Sequence, residues 1–192
     1  MTQPMEAWTL AELLDRTASA EPTPSAGSVA AVSASLAMGL VAMGFEIAAK
    51  RLRQGKPLPA EATPEELAAL TRQARDLAGA LLRHAEDDQA AVRRYLRARR
   101  VADPEAARQA LVHATEVPLA AVRAMRDGLA LVQTALTVAP QPVRADVAAG
   151  AALLRGALAA ILGGVAANLA LLPADETRAA LAQEARALED AE

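Results

Sequence analysis

The sequence predicts an all-α protein, a single-domain bundle of five to seven helices containing two long, small-residue-rich helices that are buried. Alanine, the strongest helix former, makes up about a quarter of the 192 residues. Aromatic residues are 2% of a chain that is 53% hydrophobic, so the residue types that favour strands are scarce. Short Pro/Gly clusters separate long stretches without a breaker. The length suits one domain over residues 1–192 and can bury a core without disulfides or a structural metal.

Thr9 and Glu12 spell a capping box that opens a short helix through about Ala18. Pro22 and Pro24 push Glu21 and Thr23 into extended geometry, so residues 21–28 are a loop. A helix from Ser28 to about Arg53 follows, closed by the turn residues 54–59. Thr63, Pro64 and Glu66 restart a helix that runs to Arg100. Asp103 caps the next, Pro104–Val138, in which Pro118 predicts a kink or a break near Thr115–Val117. After the loop at residues 139–142 come a helix from Val143 to Leu172 and a last one from Asp175 to about Leu188.

Two of these helices are almost uncharged and rich in small residues: Ala30, Ala31, Ala34 and Ala37 in one, Gly163, Gly164, Ala166 and Ala167 in the other. An uncharged circumference predicts burial all round. Two such helices are hard to hide in a chain this short, so a two-fold homodimer is the expected partner state, with a monomer that centres both helices as the alternative. Residues 22–45 carry no charge and approach bilayer length, but Pro22, Pro24 and Glu46 shorten the span and the content is small residues. A buried soluble helix is the reading. Met1–Leu10 has no basic and apolar leader pattern, which makes the cytoplasm the expected location.

Without cysteine there is no thiolate nucleophile, disulfide, Cys-ligated zinc or iron–sulfur cluster, and two histidines are too few for a His-rich metal site. A net charge of -3 and scarce stacking aromatics argue against nucleic acid as a partner. Carboxylates are left as the expected catalysts. The apolar seam Leu67, Leu70, Ala74, Leu77, Leu81 continues to His84 and Asp88. A histidine and a carboxylate one turn apart on a core-facing stripe can hydrogen-bond, and a carboxylate so placed must be paired or shifted in pKa, as a general acid or base is. A small rotation would instead bring Asp87 inside or make the pair structural. The loop ending at Ser28 delivers backbone N–H groups and serines at a helix N-terminus, either to a ligand oxygen or as ordinary caps from Ser25 or Ser28. Asp146 stands in the first turn of its helix, where the dipole alone favours an acid. Asn168 is a lone amide in an apolar segment, serving as interhelical glue or as a ligand contact. Arg93, Arg94, Arg97, Arg99 and Arg100 read as a solvated face.

In order and spacing these segments resemble the cyclodeaminase/cyclohydrolase family, which includes the cyclodeaminase domain of formiminotransferase-cyclodeaminase and small bacterial methenyltetrahydrofolate cyclohydrolases. Residues 22–31 are similar to that family's Pro-Thr-Pro-Gly-Gly-Gly-Ser loop, with Ser25 and Ala26 in place of two glycines. Glu86, Asp88 and Ala91 resemble its Asp-x-x-Ala-Phe segment, and residues 114–119 another stretch that contains Pro118. Ala145 and Asp146 stand where the family has Ser-Asp, and Asn168 and Leu172 where it has two asparagines. The resemblance implies a dimeric, folate-handling protein without a tightly bound cofactor or metal, whose substrate is a tetrahydrofolate derivative. The expected activity is hydrolysis of 5,10-methenyltetrahydrofolate to 10-formyltetrahydrofolate or the related formiminotetrahydrofolate cyclodeaminase reaction. Asp88, oriented by His84, is the first catalytic candidate and Asp146 the second. Pro24, Ser25, Gly27, Ser28, Lys50 and Asn168 are the candidates for substrate binding. Because several polar family positions are replaced, a member that keeps the fold but serves as a ligand-binding or interaction protein is the second class.

Overall fold

A computed structural model describes residues 3–101 and 103–190, leaving the two terminal residues at each end, and Ala102, outside the description. Among the described residues there are six α-helices and no strand, so the fold is all-α. After a 3₁₀ turn at Met5–Ala7 come α1 (Leu10–Thr17), α2 (Ala26–Arg53), α3 (Pro64–Arg100), α4 (Pro104–Val138), α5 (Gln141–Leu171) and α6 (Glu176–Asp190).

The helix starts follow from side-chain caps. Thr9 Oγ1 accepts from the Glu12 amide at 3.2 Å while Glu12 returns to the Thr9 amide at 2.7 Å, completing the expected capping box. Thr63 and Glu66 repeat it at the head of α3, at 3.1 and 2.8 Å. Asp103 caps α4 through the amides of Glu105 and Ala106. Two boundaries differ from expectation: α2 begins at Ala26, so Ser28 is already helical, and α5 begins at Gln141.

Of the kink or break expected near Thr115–Val117, the break does not occur, since α4 is helical over all 35 residues. Pro118 has no N–H to give to the carbonyl four residues back, that of Ala114. Asn168 on α5 donates its Nδ2 to this carbonyl at 2.9 Å. The neighbouring Thr115 hydroxyl folds back onto the Leu111 carbonyl at 2.8 Å.

The chain packs as two compact units. Unit 1 comprises Met1–Val32, Leu82–Arg123 and Leu158–Glu192; unit 2 comprises Ser33–Leu81 and Ala124–Ala157. The core of unit 2 is built on Met38, Val41, Phe45, Leu67, Met125, Val132 and Leu154, all fully buried. Its helices approach closely where glycine permits: a Cβ on Gly150 would lie 3.0 Å from the Ala37 carbonyl oxygen, a backbone atom that cannot step aside. Unit 1 buries Leu111, Leu119, Val122, Ile161 and Val165. In it Met5, Ala31 and Ala85 form a small cluster capped by Trp8.

The prediction that both apolar helices are buried all round is corrected for both, since Leu36 and Gly39 of α2 are exposed and α5 buries less still. Val147, Ala151, Leu154, Leu158, Ile161 and Val165 are buried at spacings of three and four, one face only. Gly163, Gly164, Ala166 and Ala167 are exposed. In the most apolar window of α2 56% of the residues are buried, against 39% in α5; by length and composition both could cross a membrane.

Candidate functional site

The site grows from the start of α2. The loop before it, with a cis bond between Thr23 and Pro24, delivers Ser25 and then Ser28, on the first turn, toward α3. Pro24 is buried beneath this loop. The first turn of α2 has no acidic residue of its own, so its partial positive charge has no local counter-charge.

Asp88 on α3 supplies that charge. It is 8% exposed, and its Oδ2 accepts from Ser25 Oγ at 2.6 Å and from Ser28 Oγ at 2.7 Å. Two short hydroxyl donors and a helix N-terminus offset the cost of burying a carboxylate. Gly27 lets it lie this close: a Cβ there would meet Asp88 Oδ1 at 2.6 Å.

Around this centre the polar groups are cross-braced. Glu86 Oε1 accepts from the Met5 amide at 2.5 Å, which ties the N-terminal segment to α3. The Arg16 guanidinium lies 4.2 Å from the centre of the Trp8 ring. Arg93 Nη1 donates to Thr23 Oγ1 and to Gln89 Oε1, each at 3.2 Å, and Gln89 itself is buried. These groups border a cleft of about 570 Å³ in unit 1, with Thr23, Glu86, Asp87, Gln89 and Arg93 along its wall.

The expected residues separate as follows. Pro24, Ser25, Gly27, Ser28 and Asp88 form one locus. His84 does not orient Asp88, a correction: the Asp88 hydrogen bonds run across to Ser28 on α2 and to Ser25 just before it, because its side chain faces that helix start rather than the turn below it on α3. His84 is half-buried, and its pKa is lowered from the ordinary 6.5 by loss of solvation, with Asp87 opposing the shift and Arg83 adding to it. Asn168 belongs to unit 1, where its amide donates to the Ala114 carbonyl. Lys50 and Asp146 are exposed residues of unit 2, and Asp146 is the sixth residue of α5 rather than a first-turn acid. Arg93, read as part of a solvated face, is exposed, and it also donates to Thr23 and Gln89; Thr23 is 70 positions away, too far for local spacing to signal. Among the described residues no group of three or more His, Asp or Glu side chains is arranged to hold a metal ion.

A search of curated proteins finds no match. Among solved structures, formiminotetrahydrofolate cyclodeaminase from Thermotoga maritima is similar with a TM-score of 0.87, covering 96% of this chain and 89% of its own, at 22% identity. At that identity the likeness is one of fold. The family model described as formiminotransferase-cyclodeaminase matches residues 9–187, nearly the whole chain. The chain therefore belongs to the formiminotransferase-cyclodeaminase family.

Proposed function

We propose that the protein is a folate-interconverting enzyme that acts at the one-carbon unit between N5 and N10 of tetrahydrofolate, as a methenyltetrahydrofolate cyclohydrolase or a formiminotetrahydrofolate cyclodeaminase. The observation that carries this is the buried Asp88 carboxylate, fixed by Ser25 and Ser28 on the turn next to the groups that wall a cleft of about 570 Å³. Family membership and a solved cyclodeaminase of the same fold support it.

The methenyl substrate carries a delocalised cation across N5, carbon and N10, which a fixed carboxylate stabilises. In the hydrolytic direction water adds to that carbon and gives up a proton to Asp88. The bond from carbon to N5 then breaks as N5 takes that proton back from Asp88, and the carbinol hydroxyl releases its own proton to solvent, leaving a formyl group on N10. In the deaminase direction N10 attacks the formimino carbon, and the formimino nitrogen takes up the N10 proton and one more from solvent and leaves as ammonia, giving the methenyl cation. Ser25 and Ser28 hold the carboxylate in one orientation, so little rearrangement accompanies either step. Arg93, whose hydrogen bonds go to two neutral acceptors, keeps its charge for an anionic part of the substrate. No tightly bound cofactor enters the scheme, and neither Lys50 nor Asp146 is used in it.

A homodimer and a cytoplasmic location belong to the same proposal. The exposed small-residue face of α5, which includes Gly156, Ala160, Gly163 and Ala167, is then covered by a second copy rather than by lipid.

The test is the absorbance decay of methenyltetrahydrofolate, run beside ammonia release from formiminotetrahydrofolate, with wild type and Asp88→Asn. Turnover of one substrate, reduced at least ~100-fold in the variant, is expected. A folded wild type that turns over neither substrate above buffer would overturn the proposal.

A further inference from the structure

Unit 2 holds a cleft of its own, about 350 Å³, where α2 ends and α5 begins. Gly55 adopts φ 68°, its amide donates to the Leu52 carbonyl at 2.9 Å, and the Lys56 amide donates to the Arg51 carbonyl at 3.0 Å. This left-handed closure turns Lys56 back beside the helix end. Lys50, Arg51, Gln54 and Lys56 form one wall; Pro140, Pro142 and Val143 form the other. Three of the lining residues are cations and none is an acid. Among the described residues, none of the three cations makes an ion pair.

Basic residues commonly end a helix because they complement its dipole, which accounts for Lys50 and Arg51. It does not account for Lys56, which lies beyond the helix, or for the guanidinium of Arg51. Its Nε is buried without a hydrogen-bond partner, and its Nη2 reaches only the Pro57 carbonyl, at 3.4 Å. A buried donor without an acceptor is destabilising unless something supplies one. On the facing wall the first turn of α5 has no acidic residue, so its N–H groups add to the positive field.

We propose that this cleft is a binding site for a small multivalent anion, either a phosphate or a cluster of carboxylates, gripped by Lys50, Arg51 and Lys56. The guanidinium of Arg51 is the fixed donor, and Lys50 and Lys56 close on the opposite charges. The site is independent of the chemistry at Asp88, and its readout is binding rather than turnover.

The experiment is isothermal titration of the intact protein at low salt with inorganic phosphate and, separately, with citrate. Saturable one-to-one binding of at least one probe is expected, beyond any effect of sodium chloride at equal ionic strength. Each of Lys56→Gln and Arg51→Gln should weaken it roughly tenfold. Binding of phosphate alone assigns a phosphate ligand, and binding of citrate alone a polycarboxylate. Lys56 is exposed, so its variant keeps the fold and decides the outcome. No binding of either probe, or binding that Lys56→Gln leaves intact, overturns the proposal.

Discussion

Helices α2 and α5 are the two apolar helices of the chain, long, rich in alanine and free of acid in their first turns, yet they are handled differently. The positive end of α2 is met from within unit 1 by Asp88. No acidic residue is among those lining the cleft at the start of α5. More of α2 than of α5 is buried. Similar composition therefore gives one helix whose N-terminal end is met by its own chain and another that leaves that end, and more of its surface, open. Hydrophobic content shows that a helix needs covering, not what covers it.

The contrast breaks most severely at Asp88. Replacing it with Leu strands two hydroxyls and an unneutralised helix end, and a loss of about 3–5 kcal/mol is expected in urea unfolding. Gly27→Ala drives a methyl into the same carboxylate, and about 1–3 kcal/mol should be lost. A Gly27→Ala protein as stable as wild type would mean that Asp88 can swing away freely.

Next in size is the bond between Asn168 and the Ala114 carbonyl. Asn168→Ala should cost about 1–2 kcal/mol by leaving that carbonyl bare. In a Pro118→Ala background, where a backbone N–H returns, most of this cost should vanish, so the double-mutant cycle reads the coupling directly. Additive losses would mean that Asn168 acts elsewhere.

On the open face of α5, Gly163→Glu should leave unfolding within about 0.5 kcal/mol of wild type, as is usual for exposed positions. Light scattering should nevertheless show a shift from dimer toward monomer. An unchanged mass would remove this face from the proposed interface.

The smallest effect concerns pH. Burial lowers the pKa of His84 below its ordinary 6.5, so the folded state favours the neutral ring and the unfolded chain binds more protons. The contribution is complete above 6.5 and is lost as pH falls toward the folded-state value. His84→Gln should therefore flatten the fall of Tm between pH 7 and 5, and a slope unchanged by the variant would contradict the assignment.

Much of the fold was legible because its signals are local. Thr9 with Glu12 and Thr63 with Glu66 sit within four residues of each other, and the α3 seam does place Asp88 inside. What was not legible is which helix faces which. Ser25 and Ser28 are 63 and 60 residues from Asp88, so spacing pointed to the nearer His84. One distant contact did leave a trace. Pro118 frees the Ala114 carbonyl as a matter of covalent chemistry, and a lone Asn in an apolar helix is a suitable donor for it.

That bond also bears on how α4 comes to exist. A helix whose hydrogen-bond ladder is completed by a side chain 54 residues away is not autonomous. A synthetic peptide of residues 104–138 is expected to form two separate helical stretches parted at the proline. In the whole chain, the continuity of α4 past Pro118 is therefore expected to depend on the docking of α5 against it.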